Sequence, residues 1–235
     1  MLIGVGVTTR LGFWQLSRAQ EKQDRHASIM AKQEAPILST QALLERPELF
    51  QSLHQRVSLQ GKWLVQHTLY LENRTMRGQT GFWVVTPLAL TPKTWVLVQR
   101  GWIPRHREDR TRLQPIDTPA DEVQINGRLS AMPSDLLQLG GATPEATMTT
   151  GPSNIRQNLE PQRYARDIGQ SWAGFVVQTD PPSEGLLREW PEISAGVEKN
   201  LGYAFQWFAL AAVQLLLYLW FQFVKPYRHA RQHKL

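Results

Sequence analysis

The stretch LGYAFQWFALAAVQLLLYLWFQFV, residues 201–224, contains 24 residues and not one charged side chain. Lys199 stands just before it, and Lys225, Arg228, Arg231 and Lys234 follow. As a helix rising about 1.5 Å per residue, it reaches roughly 36 Å, enough to cross a hydrocarbon core of about 30 Å with some tilt. The alternative, a core helix of a large globular domain, accounts poorly for so long an uncharged run or for the basic tail behind it. Residues 201–224 are therefore read as a transmembrane helix and 225–235 as a basic tail.

Charge orients that span. The tail adds His229 and His233 to its four Lys/Arg, whereas Arg188 and Lys199 on the other side are interleaved with Glu184, Glu189, Glu192 and Glu198. Positive charge is retained inside, so the tail is expected in the cytoplasm and residues 17–199 across the membrane. This gives a multi-pass protein of the inner (plasma) membrane with a periplasmic main domain. The formal net charge of +6 divides into +2 for residues 1–25, −1 for 26–198 and +5 for 199–235. The excess sits beside the membrane, where anionic lipid headgroups account for it, and nucleic acid is not an expected partner.

Residues 1–16 form a shorter apolar segment interrupted by Arg10, after which Leu11, Gly12, Phe13, Trp14 and Leu16 continue. No basic region and no small-residue cleavage site mark it as a signal peptide. Two arrangements remain: part of a first transmembrane helix, which we prefer, or a half-buried helix whose Arg10 snorkels to the headgroups.

Between the two apolar segments the chain reads as one β-rich domain. With no cysteine it has no disulfide, thiolate metal site or cysteine nucleophile. Phe13 to Gln33 lacks Gly and Pro and predicts a helix ending before Pro36; a short helix is expected over Thr40 to Glu45 with Ser39 as its N-cap. Strands are expected over Arg56 to Leu64, Thr68 to Glu72, Phe82 to Leu90, Thr94 to Ile103, Glu122 to Ser130, Asn154 to Leu159 and Ala173 to Thr179. Thr91-Pro92-Lys93 reads as a tight connection, Arg74 to Thr80 as a longer polar loop, Pro161 to Ile168 as one or two helical turns, and Pro133 to Pro152 as a mobile insertion. The spacing favours a small antiparallel barrel or sandwich with short helices.

The histidines at 26, 54, 67, 106, 229 and 233 include only one helical i, i+4 pair, His229 and His233, which either binds metal or decorates the basic tail. No nucleophile elbow, phosphate loop or HExxH occurs, so hydrolase and nucleotide chemistry have no support. A periplasmic enzyme would require His54, His67 and Arg100 to converge in one pocket. Arg100, Arg105, Arg107, Arg110 and Arg112 crowd a segment opposed only by Glu108 and Asp109. The cluster either grips propionates, lipid phosphates or an acidic partner, or is a solvated hairpin end. In the last helix Gln206, Gln214 and Gln222 drift around the surface, and Gln214, deepest in lipid, is expected to face another helix or a ligand.

Four motifs in order identify a resemblance. Leu11-Gly12-Phe13-Trp14-Gln15-Leu16 precedes Arg18 and Lys22, and Gly81 precedes Val85-Thr86-Pro87-Leu88. Val96-Leu97-Val98 leads to Arg100-Gly101-Trp102-Ile103-Pro104, and Gly202-Tyr203-Ala204 leads to Trp207-Phe208. Together they resemble the Surfeit locus protein 1 family over nearly the whole chain. The resemblance implies a membrane-anchored, non-enzymatic assembly factor for haem-copper cytochrome c oxidase. It would have a helix at each end, the catalytic subunit as partner, and a role in placing haem a there. Where the family usually has a His just before the Leu-x-Tyr of the second span, proposed to ligate haem iron, this chain has Asn200, a poor iron ligand beside imidazole. The resemblance therefore leaves Tyr203, Trp207, Asn200 and Arg100 as candidate haem contacts, through stacking and propionate pairing, or another His as ligand. Trp14, Arg18, Arg100, Trp102 and Gln214 are the candidate partner contacts. A membrane-tethered scaffold or quality-control protein that never touches haem is the competing expectation.

Overall fold

The computed structural model describes residues 1–109, 112–133, 154–169, 172–191 and 194–224. The basic tail with His229 and His233, Arg110, and nearly all of the insertion expected at Pro133 to Pro152 lie outside them. In chain order the elements are α1 (Leu2–Glu34), β1 (Leu38–Ser39), α2 (Thr40–Glu45), β2 (Arg56–Trp63), β3 (Leu69–Met76), β4 (Gln79–Thr91), β5 (Thr94–Pro104), β6 (Glu122–Ser130), β7 (Ile155–Arg156), α3 (Pro161–Ile168), β8 (Gly174–Gln178) and α4 (Glu198–Leu219). A single π turn, Trp220–Val224, extends α4. The chain divides into two compact units, residues 31–191 and the pair of segments 1–30 and 192–235.

The first unit is a closed five-stranded barrel. Around it the order is β2, β6, β8, β5, β4, and the circle closes where Lys62 and Trp63 of β2 pair with Ala89 and Leu88 of β4. Closure leaves these five strands without an open edge along the paired register. The strand after β2 continues along the same margin of β4: β3 takes over the pairing at Leu69↔Val85. One long strand, β4, thus serves as the common wall for β2, β3 and β5.

Alternation fixes what faces in. β2 reads exposed, buried, intermediate, buried, exposed, buried, exposed, buried from Arg56 to Trp63, the period of two expected of a strand with one face on a core. Val57, Leu59, Trp63, Leu88, Val96, Val98, Ile125, Leu129 and Val176 form that core, with Leu38, Leu43 and Phe50 added from the short elements between α1 and β2. Ser39 caps α2 by accepting a hydrogen bond from the Ala42 N–H at 3.2 Å, which stops the chain for one helical turn and turns Leu43 inward. A second cluster, including Leu97, Phe175, Val177 and Tyr164 of α3, covers the outer face of β5 and β8. Those strands are buried on both sides and read as continuous apolar runs.

Two expectations are corrected here. The barrel is mixed, not wholly antiparallel: β8 runs parallel to β5, and β1 and β7 pair parallel with β2 and β3. The chain between the parallel neighbours β5 and β8 passes through β6, which is itself the antiparallel neighbour of β8. The supposed polar loop from Arg74 to Thr80 is instead a hairpin, with Arg77 and Gly78 both left-handed at φ 51° and 72° between paired strands. The polar residues hid a strand because Arg74 is buried, its guanidinium lying 4.6 Å from the Trp83 ring centre.

β4 and β5 slip by one residue, from Val85↔Gln99 to Val84↔Gly101, so Arg100 is left as a bulge. Gly101 follows it where there is no room for more: a Cβ there would lie 2.6 Å from Leu186 Cβ and 2.9 Å from the Leu187 carbonyl. Gly101→Ala is accordingly expected to cost about 1–3 kcal/mol through overpacking, measured as a lower urea midpoint of the full chain in detergent.

Candidate functional site

In the second unit α1 and α4 pack as an antiparallel pair. On α1 the contact face runs Gly4, Thr8, Gly12, Gln15, Ala19, Lys22, positions three or four apart that stack on one side of a helix. Thr8, Gly12 and Ala19 are its buried members, and Ala204 and Ala211 are buried on α4. The small residues of α1 leave room there for larger side chains of α4. The fit is close: a Cβ at Gly12 would lie 2.6 Å from the Phe208 ring, and one at Gly4 would lie 2.7 Å from Gln214 Oε1. Phe13 adds an edge-on contact to Phe208, ring centres 5.2 Å apart. The Thr8 hydroxyl donates to the Gly4 carbonyl at 2.9 Å, so it carries no unsatisfied polar group into the contact.

A polar clasp closes the pair at the start of α4. Asn200 Nδ2 donates to Gln15 Oε1 at 2.8 Å, while its Oδ1 accepts from Lys22 Nζ at 2.7 Å; Lys22 also donates to the Gly196 carbonyl at 3.2 Å. Both ends of the Asn200 amide are engaged within the helix pair. Beside the clasp Tyr203 is 54 % exposed, Trp14 is 52 % exposed and Trp207 is half-buried. Arg18 lies 6.0 Å from the Trp14 ring centre and pairs with Glu21 at 2.7 Å. Six of the residues singled out from sequence, Trp14, Arg18, Asn200, Tyr203, Trp207 and Gln214, thus belong to this one helix pair.

Arg100 and Trp102 belong to the barrel, and the exposed docking surface expected of them is corrected. Arg100 is 0 % and Trp102 2 % exposed. The bulge turns Arg100 inward, 4.5 Å from the Trp63 ring centre, where it donates to Thr118 Oγ1 at 2.9 Å and pairs with Glu184 at 3.0 Å. The same Glu184 oxygen takes Arg188 at 3.1 Å. Arg188 Nε donates to the Arg100 carbonyl at 2.6 Å, and its Nη1 donates to both Ser183 Oγ and the Pro181 carbonyl. Burial holds the Arg188 pKa below its ordinary value, against the opposing pull of Glu184 and Asp180. Trp102 is consumed internally too, its indole N–H donating to the Arg74 carbonyl at 2.8 Å. Arg107 and Arg112 remain exposed, so the arginines do not act as one cluster.

Sequence reasoning missed the pairing of Glu184 and Arg188 with Arg100, and no local signal marks it, because residues 184–188 are not helical and their partner lies more than eighty positions away. The histidines do not converge. His54 lies near Arg128 and Lys32, and His67 stacks on Trp95 with ring centres 6.1 Å apart, while Arg100 is held by Glu184. The His106 ring accepts the Asp109 N–H at 3.2 Å. Among the described residues no group of three or more His, Asp and Glu side chains is placed to hold a metal ion. An open groove of 640 Å³ beside α2, lined by Thr40, Leu44, Glu45, Gln60, Leu90 and Glu122, mixes polar and apolar groups and gathers no catalytic combination.

A SURF1 family profile matches residues 2–212. The chain belongs to the SURF1 family. It is 25 % identical to a SURF1-like protein of Rickettsia bellii over 93 % of this chain and 87 % of the relative. A SURF1-like protein of Rickettsia prowazekii is also 25 % identical, over 95 % of this chain and 86 % of its own length. A third, from Rickettsia felis, reaches 33 % over 43 % of this chain and 44 % of its own. The SURF1 family is generally associated with assembly of cytochrome c oxidase and is a family of assembly factors, not a known enzyme class. One helix among the described residues, Glu198–Phe223, is long and apolar enough to cross a membrane, which fits a membrane-anchored SURF1 protein.

Two outcomes test the barrel side of this account. Glu184→Gln strands two buried guanidiniums without their shared carboxylate, and is expected to cost about 3 kcal/mol, read from urea unfolding. Burial first, then Arg128 and Lys32, hold His54 below its ordinary pKa. The unfolded chain therefore takes up a proton that the folded chain resists, so stability is full above about pH 6.5 and is lost as pH falls through the folded value. The urea midpoint is expected to drop more between pH 8 and pH 5 in the unaltered protein than in His54→Asn, a residue that also tolerates the left-handed backbone at this site (φ 74°).

Proposed function

We propose that this protein is an inner-membrane assembly factor for haem-copper cytochrome c oxidase that holds the nascent catalytic subunit while haem a is inserted. Family membership supports the oxidase as client. The observation that carries the rest is the Gln15–Asn200–Lys22 clasp. It fastens two antiparallel helices at the head of the membrane-length helix and leaves Tyr203, Trp14 and Trp207 beside it as an aromatic rim. Aromatic side chains with one polar end suit the membrane interface and a flat apolar cargo alike.

In this reading both helices lie in the membrane, the barrel is periplasmic, and the basic tail is cytoplasmic, as the distribution of Lys and Arg supports. Haem a is cargo, destined for the client. Position 200 does not fit an axial iron ligand: its side chain is an amide, and both amide ends are already bonded to Gln15 and Lys22. Contact with haem is then limited to packing of Tyr203 and Trp207 on the macrocycle. The same observation favours a second reading, a scaffold that binds the membrane subunit without touching haem.

A visible spectrum of the chain purified from a haem a-producing host separates the readings. A co-purifying haem band supports the haem-handling role, and its absence at equal yield supports the scaffold. Tyr203→Ala and Trp207→Ala are expected to lower haem a occupancy of the oxidase severalfold without loss of membrane insertion; unchanged oxidase spectra in both would defeat the haem-handling reading. Asn200→His is expected to add a ligated-haem band that the unaltered chain lacks.

A further inference from the structure

The geometry points to a docking face for a carboxylate-bearing transmembrane helix of another protein on the outer side of α1, centred on Arg10. This inference rests on the reading that α1 lies in the membrane beside α4. Gly4 packs at Gln214 and Gly12 at Phe208, so Arg10, between the two glycines, lies between the depths of Gln214 and Phe208. Both of those residues are roughly 13 to 15 Å along the helix from the nearer end of the Glu198–Phe223 span, at about 1.5 Å per residue.

Two residues beyond Thr8, Arg10 is turned about 200° away from the α4 contact. It is exposed there, with Ile3, Val7 and Trp14 exposed on the same side. Helical side chains lean toward the N-terminus, which for Arg10 is away from the clasp at Gln15 and Asn200, so snorkelling toward that polar level is opposed. Among the described residues it has neither hydrogen bond nor ion pair. A guanidinium at that depth is costly against acyl chains, and intramembrane arginines almost always pair with an acceptor or counter-charge.

The chemistry narrows the occupant. Lipid headgroups stay at the interface, far from the depth of Phe208. A second copy of this chain has no Asp or Glu in residues 1–16 or 201–224, so it cannot supply the carboxylate. A separate helix with one acidic residue near mid-span does, and Ile3, Val7 and Trp14 give it an apolar flank on which to pack.

The test uses the full chain in phosphatidylcholine vesicles, with donor dye on a cysteine introduced at Gln23, since the natural sequence has none. Acceptor-labelled Leu-rich transmembrane peptides carry a central Glu, Gln or Leu. The Glu peptide is expected to associate at least tenfold more tightly than the Leu peptide, with Arg10→Leu erasing the preference and Arg10→Lys keeping part of it. Equal association of the peptides overturns the inference, as does a preference that survives Arg10→Leu. So does loss of the preference in phosphatidylglycerol-rich vesicles, where a headgroup has taken Arg10, or Arg10-dependent self-association without peptide. A Val7→Cys variant shielded from a membrane-impermeant maleimide establishes that α1 is inserted. If it labels readily, the two-helix reading fails as well; if it is shielded and no Glu preference appears, this inference fails alone.

Discussion

A guanidinium removed from water calls for hydrogen bonds and a counter-charge, and the barrel meets most of that demand at Arg100: both terminal nitrogens are bonded, to Thr118 and Glu184, while its Nε has no partner. A one-residue slip between β4 and β5 points the side chain inward, and the segment after β8 returns to meet it. Glu184 does so from a left-handed backbone at φ 60°, a conformation uncommon for a residue with a side chain. Arg188 then ties the same segment to the Arg100 carbonyl, and backbone bonds between Trp102 and Leu187 extend the attachment. Gly101 is part of the same constraint, because only a residue without a Cβ admits Leu186 at that distance. The signature Arg-Gly-Trp that looks like a binding motif in sequence is, in the folded chain, the device that fastens residues 181–188 to the barrel wall.

The two-helix unit obeys a different physics. Its buried positions are glycine, alanine and threonine, with Phe208 seated against Gly12 and Phe13, and its polar contacts come from the amide of Asn200 and the amine of Lys22. Large apolar side chains of α4, such as Phe205 and Leu216, point outward. That is the inverse of a water-soluble helical hairpin, and it accords with a lipid surround.

Much of the barrel was legible because its strands alternate or form short apolar runs between turn residues. α2 with its Ser39 cap, β6 and α3 have the bounds that local signals indicate, since a capping serine, a period of two and a proline at the first helical turn act within a few residues. The hairpin at Arg77-Gly78 was obscured by the polarity of Glu72 to Arg77, whose inward members bury an arginine and a methionine. β7 is only two residues long because it is a parallel bridge to β3, set by tertiary contact alone. The direction of β8 was likewise beyond local reasoning. For the site, the aromatic and amide residues of α4 could be chosen from sequence, but not their partners on α1, which lie almost two hundred positions away in the chain. A glycine inside a strand hinted at the bulge, yet no pattern said that Arg100 would face inward.

The placement of β8 has a consequence for biosynthesis. It is the last of the described strands in chain order, yet it fills the gap between β5 and β6, so the circle of strands stays open until residues 174–178 have emerged. Non-local pairing of this kind is slow to form, and its open edges are sticky in the meantime. The membrane-length helix follows almost at once, from Glu198. Only about twenty residues of synthesis therefore separate the last strand the barrel needs from the start of that helix.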